Sequence, residues 1–342
     1  MNDTIKPVLL DCAGLTLTLE ERGFFHRENP LGFILFGPNC DNPSQLRRLT
    51  RELREAVGRA DAPIFIDQEG GRVARLKAPH WPALPAQRAL GSLYQKNWSA
   101  GAEAMRLHAT ITSRVLRDVG IDGNCAPVLD LDIPGANAVM GDRTFSSDPQ
   151  TIIALGLLAV KTYLENGVLP VIKHMPGHGR VKLDPHKTLP MVDAELSVLQ
   201  SEDFLPFMSL AKDAPLAMNC HVVYAALDPD HPVSLSKKVH TEIFRKSFGY
   251  DGVILSDDLD MGALRLPLEQ RGCAALEAGA DIVIFRSRDI DRARALCASL
   301  PAMDAERSRR WQAARARLKA SPSPESRSLS EMTAQLNKLL GI

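Results

Sequence analysis

Eight short apolar runs punctuate the chain, at 8–12, 33–36, 63–67, 125–129, 169–174, 216–221, 252–256 and 281–285, with longer and more polar stretches between them. Runs this short suit buried strands, and the stretches between them carry apolar residues at helical spacing. In 44–60, Leu46, Leu49, Leu53 and Val57 share a face. In 151–166, which follows Asp148-Pro149, Ile152, Leu155, Leu158 and Val160 are apolar. The stretch 236–248 ends at Gly249, a residue suited to the end of a helix. Strand and helix in alternation predict an α/β fold with parallel strands.

Two architectures satisfy that alternation, an open sheet and a closed (β/α)8 barrel. The polar residues favour one of them. Asp67-Gln68-Glu69, Lys173-His174, His221 and Ser256-Asp257-Asp258 stand at the ends of four different runs. A barrel distributes its active site over several strand ends, whereas an open sheet gathers it at one switch point. The spread predicts a single-domain barrel over 1–300, with 301–342 as a helical extension packed on it or trailing from it. Within the extension, 307–319 is rich in Arg and Ala and reads as a solvated helix. Ser321-Pro322-Ser323-Pro324 reads as a linker-like break, and 329–340 as a second short helix.

Composition narrows the partners. With 45% hydrophobic residues the chain can fill a large core, and its 41 basic and 41 acidic residues cancel. A neutral chain lacks the broad positive field that non-specific nucleic-acid binding needs. No apolar run approaches the ~20 residues that span a bilayer, and the first seven residues hold no basic segment leading into an apolar one. The expectation is a soluble, cytoplasmic protein whose partner is a small or uncharged molecule; composition does not give the oligomeric state, and a monomer is the working expectation. The six cysteines form no CxxC pair and read as reduced core residues.

Five segments could carry chemistry. In the first, Asp67 ends a run and is placed to accept hydroxyl hydrogen bonds from a ligand. Gly70-Gly71 then allows a sharp turn, Glu69 and Arg72 read as a structural ion pair, and Arg72 and Arg75 sit at helical spacing. The second holds Arg143, a loop guanidinium able to fork onto vicinal oxygens. The third, Lys173-His174-Met175-Pro176-Gly177-His178, cannot form a simple helix, so His174 and His178 do not make a helical metal pair. The fourth is Asp184-Pro185-His186, where an Asp two residues before a His can hold the ring N–H and raise the basicity of the other nitrogen. The fifth ends in Asp257-Asp258. Adjacent acids at a buried strand tip cost electrostatic energy. Successive strand residues point to opposite sides, so one of the two is expected to do chemistry and the other to support the fold.

Taken together and in order, these segments resemble the family 3 glycoside hydrolases, specifically the single-domain bacterial N-acetyl-β-glucosaminidases of peptidoglycan recycling. Asp67-Gln68-Glu69-Gly70-Gly71-Arg72-Val73 resembles the family's DQEGGRV segment. Gly141-Asp142-Arg143-Thr144-Phe145 resembles GDRSF, Lys173 to Gly179 resembles KHFPGHG with Met175 for Phe, and Ser256-Asp257-Asp258-Leu259 resembles SDDL. The resemblance implies a retaining exo-β-N-acetylglucosaminidase that needs no cofactor or metal. It implies Asp257 as nucleophile, His186 as acid/base with Asp184 as its partner, and Asp67, Arg75, Arg143, Lys173 and His174 as the residues that hold the sugar. It also implies a muropeptide bearing N-acetylglucosamine as substrate. Pro185 stands where the family has Ser, which stiffens the loop, and Asp260 stands where Ser is common.

Three other readings stay open on the residues. A metal-dependent amidohydrolase-type barrel would use His174, His178, His221 and an Asp, although no His-x-His pair marks the first run. A β-glucosidase or phosphorylase of the same family is the second. The third is a sugar-binding barrel without catalysis.

Overall fold

The computed structural model describes residues 4–136, 139–182, 189–319 and 325–342. Eight parallel strands close into a barrel in chain order. They are β1 (Lys6–Leu10), β2 (Pro30–Leu35), β3 (Ile64–Ile66), β4 (Gly123–Asn124), β5 (Leu169–Met175), β6 (Leu216–Asn219), β7 (Val253–Asp258) and β8 (Ile282–Phe285). β8 pairs back onto β1 through Val8 and Val283, which completes the ring. The single closed α/β barrel is the fold expected from the sequence.

Alternation along each strand divides its side chains between two cores. Leu9, Ile34, Phe65, Val171, Leu216, Val253, Leu255, Ile282 and Ile284 fill the barrel interior. Val8, Leu10, Phe33, Leu35, Ile64, Ile66, Ile172, Ala217, Ile254, Val283 and Phe285 face the surrounding helices. Carried one step past the interior residues, the same phase puts Asp11, Phe36, Asp67, Lys173, Asp257 and Arg286 over the barrel mouth.

Three elements depart from the sequence reading. The fourth strand pairs at Gly123–Asn124 rather than over 125–129. Pro127 brings no N–H to a ladder, yet the chain stays bonded to both neighbours beyond the pair: the Cys125 N–H donates to the Ile66 carbonyl at 2.8 Å, the Ala126 carbonyl accepts the Val171 N–H at 3.1 Å, and Val128 bridges Lys173. Gly123 is required where it is, because a Cβ there would lie 2.2 Å from the Phe65 ring. The helix expected over 44–60 runs from Pro43 to Ala56 and stops before Gly58, whose φ is +66°. The segment expected to be helical over 236–248 is a π-helix at Val239–Ser247.

The arginine-rich C-terminal helix, Ala305–Ala316, is not solvated all round. Trp311 and Ala314 enter the interior cluster from below, with the Trp311 ring 6.4 Å from that of Phe65. Its arginines meet acids on the bottom of the barrel: Arg310 bonds Asp281 at 2.9 Å, Arg309 bonds Asp251 at 2.9 Å and Arg315 bonds Asp61 at 2.6 Å. The basic run is thereby spent within the molecule. The helix Leu329–Leu340 buries Met332 and Leu336. All six cysteines are free thiols; Cys12, Cys125, Cys220 and Cys297 are buried as expected, whereas Cys40 and Cys273 are only partly buried. No helix among the described residues is long and apolar enough to cross a membrane.

Candidate active site

A cavity of about 300 Å³ opens at the C-terminal ends of the strands and gathers Asp67, Arg75, Arg143, Lys173, His174 and Asp257. Six of the eight residues singled out from sequence therefore share one wall. The other two, Asp184 and His186, lie outside the described residues.

At the strand tips, four of these groups and Glu69 form one buried ion network. Lys173 Nζ donates to Asp67 Oδ1 at 2.8 Å and lies 2.7 Å from Glu69 Oε1. Arg75 Nη2 donates to the other oxygen of Asp67 at 3.1 Å. Arg143 forks onto Glu69, Nε to Oε2 at 2.9 Å and Nη2 to Oε1 at 2.8 Å. Burial works against both anions, yet Lys173 with Arg75 holds Asp67 below the ordinary carboxylate range, and Lys173 with Arg143 does the same for Glu69. The carboxylates return the effect: burial opposes the Lys173 charge, and Asp67 and Glu69 override it.

This network corrects two details of the sequence reading. Glu69 does not pair with Arg72. Its partners are Arg143 and Lys173, while Arg72 Nε bonds Asp142 at 2.7 Å. Arg72 and Arg75 are not on a helix, because Gln68–Gly70 and Val73–Ala74 pair as a tight antiparallel hairpin. The hairpin requires glycine at its turn: φ is +101° at Gly70 and +56° at Gly71, and a Cβ on Gly70 would meet the Pro85 carbonyl at 2.2 Å. Arg143 meets Glu69 through Nε and Nη2 and still lines the cavity.

Asp257 stands in phase with Val253 and Leu255 and so faces the barrel axis. Its Oδ1 accepts the Asp258 N–H at 2.7 Å, and its own N–H donates to Asn219 Oδ1 at 3.3 Å. Burial alone would protonate it, but His221, His174, the Asp258 N–H and Lys173 keep it below its ordinary value, and therefore ionised. Asp258 is out of phase, and its Oδ1 accepts the backbone N–H groups of Asp260 and Arg286, each at 3.1 Å. Burial, with the Asp257 charge beside it, pushes Asp258 up to about 7. The tandem acids thus differ in state: one is an anion on the axis, the other a supporting acid.

The histidines are equally differentiated. His221 Nε2 donates to the Asp258 carbonyl at 3.0 Å and its Nδ1 meets Ser234 Oγ at 2.7 Å, so both ring nitrogens are engaged. His174, joined to Lys173 by a cis peptide, places Nδ1 2.6 Å from Asp130 Oδ2. The His178 ring lies 5.5 Å from that of His174 and is driven to about 4 by burial and by His174, so it is neutral at pH 7. Among the described residues, no three His, Cys, Asp or Glu side chains come together in an arrangement that could hold a metal ion.

Sequence reasoning missed Asp130, Phe36 and Arg286. Phe36 and Arg286 could have been found by carrying the strand phase one residue further. Phe36 lies beneath two guanidinium groups, 4.4 Å from Arg286 and 5.7 Å from Arg75. Asp130 falls after the last residue of the fourth run and carries no periodic signal.

Comparison with known proteins assigns the chain. The profile of the glycosyl hydrolase family 3 N-terminal domain matches residues 20–316. The chain belongs to glycosyl hydrolase family 3. A Chromobacterium violaceum family member named Beta-hexosaminidase is 38% identical over 304 residues, covering 88% of this chain and 84% of its own length. One from Bordetella avium with the same name is 35% identical, covering 82% and 81%. Among solved family 3 structures, NagZ from Neisseria gonorrhoeae in complex with N-trifluoroacetyl-D-glucosamine superposes with a TM-score of 0.88 at 32% identity, covering 98% of each chain. A β-N-acetylglucosaminidase from Paenibacillus gives 0.86 at 28% identity, covering 97% of this chain and 66% of its own. This chain is therefore a glycoside hydrolase of family 3, and the match covers its barrel.

Proposed function

We propose that this family 3 hydrolase removes terminal β-linked N-acetylglucosamine with retention of configuration, by way of a covalent glycosyl-Asp257 intermediate. The observation that carries the reading is Asp257 itself, a carboxylate on the barrel axis, held ionised, in a cavity that also gathers Asp67, Arg75, Arg143, Lys173 and His174. The names of the relatives, and the N-trifluoroacetyl-D-glucosamine bound to the gonococcal protein, support the choice of sugar.

In the first step an Asp257 oxygen attacks the anomeric carbon as the glycosidic C–O bond breaks. His186 gives its proton to the departing oxygen, and Asp184 steadies the imidazole. In the second step His186 takes a proton from water, and the hydroxide displaces Asp257. A retaining hydrolase usually works with two carboxyl groups about 5–5.5 Å apart. His186 serves as imidazolium acid in the first step and as neutral imidazole base in the second, and in neither state does it put another anion beside the nucleophile. Asp67, Arg75, Arg143, Lys173 and His174 orient the sugar's hydroxyls, and Arg143 also fixes Glu69 and, through it, Lys173. Preset geometry lowers the entropic part of the barrier. The natural substrate in this reading is an N-acetylglucosaminyl-anhydromuramoyl fragment released in cell-wall recycling inside the cell. A monomer suffices, since every group invoked comes from one chain.

The test is product analysis on aryl β-glycosides that differ only at the 2-position, with and without phosphate. Release of N-acetylglucosamine from the 2-acetamido compound, at a rate indifferent to phosphate, is the expected result. Preference for the 2-hydroxyl compound, or a sugar 1-phosphate as product, would overturn it.

A further inference from the structure

Asp130 is wholly buried and makes four contacts, all with the turn that carries His174 and His178. Its Oδ1 accepts the His178 N–H at 2.6 Å and the His174 N–H at 3.1 Å. Its Oδ2 lies 2.6 Å from His174 Nδ1 and 3.2 Å from the His174 N–H. The strand bridge brings it there: the Leu129 N–H donates to the Lys173 carbonyl at 2.7 Å, which lays residue 130 against residue 174.

We infer that Asp130 is a positioning residue for substrate binding, one that fixes both the tautomer and the direction of the His174 ring. An ionised carboxylate only accepts hydrogen bonds, so the ring nitrogen 2.6 Å away carries the proton. That leaves Nε2, which has no hydrogen bond to any described residue, as the atom that meets the ligand from the cavity wall. In the neutral ring Nε2 is then an acceptor, suited to a sugar hydroxyl. This rests on the proposed function, in which His174 holds the sugar.

Asp130→Asn separates orientation from shape. The backbone N–H groups of His174 and His178 hold the amide oxygen at the Oδ1 position, which turns the amide NH2 towards Nδ1. The ring then moves its proton to Nε2 and presents the wrong sense of hydrogen bond. Misdirecting a group that orients the substrate costs on the order of 100-fold in kcat/KM, with KM rising as Nε2 loses its acceptor role. Nitrogen-15 NMR of histidine-labelled protein reads the tautomer directly, with the His174 signal assigned as the one missing in His174→Gln. The expected result is Nδ1–H in the native protein and Nε2–H in Asp130→Asn, with a kcat/KM loss on the aryl N-acetylglucosaminide. A folded Asp130→Asn with kcat/KM within a factor of about two, or less than 0.5 kcal/mol, of native would overturn the inference. So would Nε2–H in the native protein, which decides the matter even if the variant does not fold. A native protein with Nδ1–H that fails to hydrolyse the glycoside would instead count against the proposed function and leave the placement of His174 supported.

Discussion

Arg143 closes two parallel hydrogen bonds on Glu69, and Glu69 is almost completely removed from solvent. The guanidinium is braced by that carboxylate, which also holds Lys173. The cavity's cations are set in place before any ligand arrives.

Glu69→Gln puts that bracing to the test. An amide keeps the shape but leaves two buried cations short of one anion, and breaking a buried pair in this way costs about 3–5 kcal/mol. Urea unfolding at pH 7 is expected to show the loss. Linkage gives a second signature. The folded pKa of Glu69 lies below its ordinary 4.5, so its stabilisation is complete above that value and fades as pH falls below it. The variant's stability should therefore decline less steeply than the native protein's below about pH 4.5. Parallel declines would show that the Glu69 charge is not what holds the two cations.

Asp258 is expected to behave in the opposite sense. Its folded pKa is raised from 3.8 to about 7, so between those values the folded state holds a proton that the unfolded state has released. Stability contributed by that proton is full below pH 3.8 and is lost as pH rises towards 7. Asp258→Asn keeps an acceptor for the Asp260 and Arg286 N–H groups and abolishes the ionisation. Its melting temperature relative to the native protein should climb steadily from pH 4 to pH 7. A difference that does not change with pH would mean that Asp258 ionises normally in the fold.

Much of this was legible in the chain, and phase explains which parts. Strand alternation separates interior from exterior residues, so Asp67, Lys173 and Asp257 fall over the mouth by the same count that puts Phe65, Val171 and Leu255 inside. The roles of Asp257 and Asp258 diverge for that reason. Spacing could not tell which cation each acid meets. Glu69 and Arg72 are three residues apart in sequence, but the glycine turn at Gly70-Gly71 sends Arg72 towards Asp142, and Arg143 arrives from another loop. Asp130 was invisible because its partner lies 44 residues away, on the neighbouring strand. The Arg and Ala content of 307–319 hid the inward face made by Trp311 and Ala314.

Trp311→Ala should test that last point. Trp311 is 6% exposed and closes the bottom of the barrel against Phe65. Truncating a buried aromatic costs about 3–5 kcal/mol. Because the active-site cavity is at the other end of the strands, kcat/KM at 25 °C should change less than twofold, which is about 0.4 kcal/mol. A stability loss within about 0.5 kcal/mol of zero, the range for ordinary surface substitutions, would show that the helix is not part of the core.

The central claim is that Asp257 forms a bond to the sugar. A ring-fluorinated N-acetylglucosaminyl fluoride activates the first step and slows the second, so a covalent intermediate should accumulate. Peptide mass spectrometry after rapid acid quenching is the direct measurement. The expected result is one glycosyl adduct, on the peptide holding Ser256-Asp257-Asp258 and localised to Asp257, and absent in Asp257→Ala. An adduct on any other side chain, or steady turnover of the reagent with no adduct at all, would contradict the account.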